Sequence, residues 1–127
     1  MKALLVAAIA AVTPPGAAQG AASPIKVLFQ PAGGRDGLML DSVMKIVLQR
    51  PEFVKAAQAD AQTLIVSVPE KPDRIGSGDH VGFSFTLGFT RNAEPIGEAR
   101  EVCDTAALQA CADQVAADLL SADALHR

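Results

Sequence analysis

The clearest pattern in the chain is the alternation HVGFSFTLGFT at residues 80–90. Val81, Phe83, Phe85, Leu87 and Phe89 fall on one side, and Gly82, Ser84, Thr86, Gly88 and Thr90 on the other. A period of two is that of a β-strand, here with one aromatic face to bury and one small, smooth face. The turn RNAEP follows, and IGEAREVC returns antiparallel as a hairpin. Two further strands are predicted upstream. PIKVLFQP, bracketed by prolines, turns Ile25, Val27 and Phe29 inward. TLIVSV, ahead of Pro69, sets Leu64, Val66 and Val68 on one face against Ile65 and Ser67.

Elsewhere the hydrophobic period is helical. Asp36 is placed to cap a helix from about Leu38 to Gln49, in which Leu40, Val43, Met44, Val47 and Leu48 form an apolar stripe opposite Asp41, Lys45 and Gln49. TAALQACADQVAADLLSADAL predicts a last helix with Leu108, Cys111, Val115 and Leu119 on its packed side and Asp113 and Asp118 mostly off it. Pro51–Ala59 reads as a second short helix, with Pro51 at its first position and Glu52, Lys55, Ala56 and Ala57 as helix formers; an irregular extended piece is the alternative. PEKPDRIGSGDH reads as a loop. The expected class is α+β: an approximately four-stranded mixed sheet with two or three helices packed mainly on one face.

This succession, IKVLFQP, a helix, DAQTLIVSVP, a long strand with its hairpin partner and a final helix, is similar to small bacterial envelope domains. These are the amino-terminal domain of the TolB protein and the curli-secretion and penicillin-binding-protein-activator lipoproteins. The resemblance lies in element order across most of the chain after residue 22. It implies the fold and an envelope setting, not an activity.

The first residues agree with that setting. MKALLVAAIAAVTPPGAAQGAASP carries Lys2, an apolar run from Ala3 to Val12, a Pro-Pro-Gly break and small residues after it, the parts of a secretory signal peptide. The run is about half the roughly 20 residues that a spanning helix needs. Cleavage is expected after Ala18, Gly20 or Ala22, leaving residues 23–127 as a single periplasmic or secreted domain without a membrane span. No cysteine stands near these positions to carry a lipid. Removing residues 1–22 takes away Lys2 and no acid, leaving ten basic side chains against 14 acidic ones and a net charge of −4. A mildly acidic chain without Trp or Tyr argues against nucleic acid as a partner.

Candidate chemistry is sparse. AGGRDG precedes a helix, where backbone amides can hold an anion, but it lacks both GxGxxG and GxxxxGK[ST] and reads as a flexible connection. Asp79 and His80 are adjacent, and a carboxylate can orient an imidazole; neighbouring strand residues point to opposite faces, however, so His80 reads first as a strand-entry residue. Glu94, Glu98 and Glu101 read as a solvated strand face, and Ser42, Ser67, Ser77 and Ser84 lie outside any GxSxG setting. No metal site and no cofactor are expected, because neither CxxC nor HExxH spacing occurs. The reading is a non-catalytic envelope module that contacts a protein, peptide or small ligand through a sheet edge, the small-residue sheet face or a loop. The alternative is a small secreted hydrolase-like enzyme with an unmarked site near His80.

The two cysteines, Cys103 and Cys111, enclose CDTAALQAC. In an oxidising compartment an even pair is most simply a disulfide. A helix starting at Asp104 would hold them about 12 Å apart, whereas a disulfide needs Cα atoms within about 7 Å. The bond therefore requires a turn over Asp104–Ala107 and a helix that starts near Leu108.

Overall fold

The computed structural model describes residues 23–78 and 80–125, so the expected signal peptide lies outside the described residues. Six strands and two helices follow the order β1 (Ile25–Phe29), α1 (Gly34–Val47), β2 (Phe53–Lys55), β3 (Leu64–Ser67), β4 (Asp73–Ser77), β5 (His80–Arg91), β6 (Glu94–Asp104) and α2 (Leu108–Leu125). The class is α+β with a mixed sheet. β1 pairs in parallel with β2 and β3, while β5 pairs antiparallel with β3, β4 and β6.

A strand has only two edges, and this fixes the arrangement around β5. β6 occupies one edge along Gly82–Arg91, so β3, opposite Gly88–Thr90, and β4, opposite His80–Ser84, must share the other. β3 and β4 are thus one long strand interrupted at residues 68–72. Pro69 and Pro72 lie in the interruption and have no N–H to continue the ladder. The sheet therefore runs from β2 through β1, the β3/β4 line and β5 to β6, with β2 and β6 as its outermost strands; among the described residues β4, beyond the reach of β1, pairs with β5 alone.

The alternation in β5 is realised: Phe83, Phe85, Leu87 and Phe89 are buried. They meet Val27, Leu64 and Val66 from the sheet, Leu40, Met44 and Val47 from α1, and Val115 and Leu119 from α2 in one hydrophobic core. The rings of Phe83 and Phe85 stack at 5.4 Å. Both helices lie against this face and against each other.

Several expectations are corrected. Pro51–Ala59 is not a helix: Phe53–Lys55 forms β2, and the backbone amides of Ile25 and Ala56 donate to Glu52 and Val27 carbonyls at 2.8 Å. Burial of Phe53 beside β1 overrides the helix propensity of its neighbours. α1 starts at Gly34, earlier than Leu38, with Gly33 rather than Asp36 at the cap. Gly33 and Gly34 have φ of 79° and 74°, a left-handed conformation that lets the chain turn into the helix a turn sooner. DRIGS, read as loop, is β4, because the free edge of β5 supplies partners for its backbone.

The hairpin joining β5 and β6 turns through Asn92 and Ala93, with φ of 53° and 66°. Positive φ at both central residues marks a type I′ turn, which matches the twist of the strands. A bulge follows: Phe89 pairs with Gly97 and Thr90 with Pro95, so Ile96 is the extra residue.

Candidate functional site

β6 is the long edge of the sheet. Among the described residues it pairs with β5 alone, through ten of its 11 residues, and most of its side chains are exposed. Its beginning is protected against further pairing by Pro95 and by the bulge at Ile96. From Gly97 onward the strand is regular. Glu98, Arg100 and Val102 stand opposite Gly88, Thr86 and Ser84 on the face away from the helices.

That outer face carries the small residues seen in the sequence. Gly82 and Ser84 lie between Ile75 of β4 and Val102 of β6, which are 39% and 59% exposed. At Gly82 a Cβ would come 2.5 Å from the Cys103 carbonyl oxygen, so only glycine lets β6 approach here. Beside them an open groove of about 420 Å³ is lined by Pro69, Glu70, Thr86, Glu98, Ala99 and Arg100. Arg100 Nη1 donates to Thr86 Oγ1 at 3.5 Å, and neither histidine nor cysteine lines the groove. A mixed-charge, shallow surface of this kind suits contact with another chain better than enclosure of a small substrate.

The inner face of β6 holds α2. Cys103 and Cys111 are joined in a disulfide with Cα atoms 5.4 Å apart. The turn that this requires is built by the Asp104 carboxylate accepting from the Ala106 N–H at 2.8 Å, the Asp104 carbonyl accepting from the Ala107 N–H at 3.0 Å, and Thr105 Oγ1 donating to the Val81 carbonyl at 2.7 Å. α2 then starts at Leu108, so Cys111 falls in its first turn.

Two residues before Cys103, Glu101 shares the inner face, which corrects its reading as part of a solvated strand face. Asp118 of α2 is its neighbour, and the Asp118 Oδ2 is buried. Burial, then the hydrogen bond and charge of Glu101, push the Asp118 carboxyl up to about 7. Two carboxyls can share a hydrogen bond only while one of them keeps its proton. At the far end of α2, Arg91 Nη2 donates to Asp123 Oδ1 at 2.7 Å in a nearly buried ion pair. The strand period contained the signal for Glu101, since any residue two places from an inward cysteine must also point inward.

His80 opens β5 opposite Ser77, and Asp79 lies outside the described residues. A cleft of about 190 Å³ near the start of β5 is lined by Met39, Arg74, Val81, Gly82, Phe83 and Thr105. Among the described residues no three His, Cys, Asp or Glu side chains form a metal-sized group, and no helix is long and apolar enough to cross a membrane.

No family model matches the chain, and no curated protein matches it. Among solved structures, it is similar to a crystal structure of a minor lipoprotein from Acinetobacter baumannii, at 17% identity and a TM-score of 0.45 over 74% of this chain and 91% of that one.

Proposed function

We propose that this protein is a periplasmic or secreted, non-catalytic binding module of the cell envelope, which engages a protein or peptide partner along the β6 side of its sheet. The observation that carries the reading is the 11-residue edge strand, paired on one side only among the described residues and regular after its bulge. An exposed edge adds a strand from another chain through backbone hydrogen bonds, while side chains set the specificity. The signal-peptide pattern and the resemblance in element order to envelope domains support the compartment, and the disulfide is of the kind an oxidising compartment maintains.

The test is affinity capture from envelope extract with the protein as bait, alongside an Arg100→Glu variant. The expected result is a partner retained by the parent protein and lost by the variant. Failure to recover any partner at any salt, together with a hydrolytic activity abolished by His80→Ala, would overturn the reading.

A further inference from the structure

We propose that the partner of β6 is β6 of a second copy of this chain, paired antiparallel with Ala99 on the two-fold axis. The inference rests on the reading of β6 as the binding edge and adds the identity of the bound strand. A two-fold between identical antiparallel strands places one residue opposite itself, and the pleat keeps outer-face residues opposite outer-face residues. The sequence then discriminates among registers. Centring on Glu98 or Arg100 sets a like charge against itself on the outer face, and centring on Glu101 does so on the inner face. Like charges directly opposite each other in a sheet are destabilising.

Centring on Ala99 puts Glu98 opposite Arg100 twice, once on each side of the axis, and puts Gly97 opposite Glu101 inside. The register centred on Val102 would instead need Asp104 to meet Arg100. The Asp104 carboxylate is already bound to the Ala106 N–H in the turn that leads to the disulfide. Glu98 and Arg100, by contrast, are both exposed and line the same groove. The devices that block pairing, Pro95 and the bulge at Ile96, stand outside the stretch from Gly97 to Glu101 that this register uses.

Sedimentation equilibrium of the protein purified after expression of the full sequence tests the proposal across micromolar to near-millimolar concentrations. The expected result is a concentration-dependent dimer that Arg100→Glu weakens at least tenfold, as does Glu98→Arg. The double variant Glu98→Arg with Arg100→Glu restores the pairing, because swapping the charges preserves their complementarity. A parent protein that stays monomeric throughout, or a double variant no better than the singles, overturns self-pairing. So does rescue confined to Arg100→Asp with Asp104→Arg, which would move the axis to Val102. A monomeric parent that still captures a different envelope protein in an Arg100-sensitive way leaves the module reading standing, whereas loss of both results removes both.

Discussion

The two outermost strands of the sheet solve the problem of an unpaired backbone in opposite ways. β2 has three residues, its Phe53 is buried, and its approach is tied down by Arg50, which donates to Glu52 at 3.2 Å and to Asp113 of α2 at 3.2 Å. The hydrogen bond from Arg50 holds the Glu52 carboxyl below its ordinary range. β6 has 11 residues and an exposed outer face; β5 holds it along one edge, and the disulfide and α2 hold it from below. A short, clamped edge closes the sheet. A long edge held rigid from one face leaves its outer backbone and side chains free for another chain, and rigidity lowers the entropy cost of using them.

Truncation should separate the two edges most strongly. Phe53→Ala is expected to cost about 3 to 5 kcal/mol in urea or thermal unfolding, because a ring is lost from the one buried residue of β2. Val102→Ala, at an exposed site on β6, should change stability by less than about 0.5 kcal/mol. A comparable loss at both positions would mean that β6 contributes to the core as β2 does.

The disulfide comes next. Replacing Cys103 and Cys111 together by alanine removes a short covalent loop, and a loss of about 2 to 3 kcal/mol is expected by calorimetry. The change should reach the protection of amides in β6 and α2 before those in β1 and β2. Uniform loss across the sheet would show that the bond is not a local staple.

Two carboxylates give the regions opposite responses to pH. Between about pH 4 and 7 only the folded protein keeps the Asp118 proton, so stability should fall as pH rises through that window and level off above it. With screening of a half-buried group allowed for, the loss is about 1 to 2 kcal/mol, and Asp118→Asn should abolish it. Beside β1, Asp60 is held at about 2 by hydrogen bonds from Lys26, the Gln62 amide and Thr63, so its contribution is present above about pH 4 and fades as pH falls through that value of about 2. Equal pH profiles for the parent and Asp118→Asn would remove the carboxyl pair from the account.

The smallest effect is at the hairpin. Ala93 holds φ at 66°, where an L side chain is strained, so Ala93→Gly should stabilise the protein by about 0.5 to 1 kcal/mol. A destabilised variant would place the turn's strain elsewhere.

Much of this organisation was legible in the sequence where periodicity was long and unbroken. The two faces of β5 followed from 11 alternating residues, and the need for a helix start near Leu108 followed from the reach of a disulfide. What escaped were elements whose reason lies in another part of the chain. Neither Phe53–Lys55 nor Asp73–Ser77 is long enough to announce itself; each is a strand because a neighbouring edge offers hydrogen-bond partners. The charge of Glu101 suggests a solvated face, but its position two residues before Cys103 turns it inward. The helix stripe sets Asp118 mostly off the packed side and carries no signal of a neighbour on another element.

The contrast between the edges is tested most directly by amide hydrogen exchange, residue by residue, at low and high protein concentration. Alternate amides between Gly97 and Val102 should gain protection as concentration rises, while those of Phe53–Lys55 remain unchanged. Protection that is independent of concentration along β6, or a gain at β2 instead, would rule out β6 as the pairing edge.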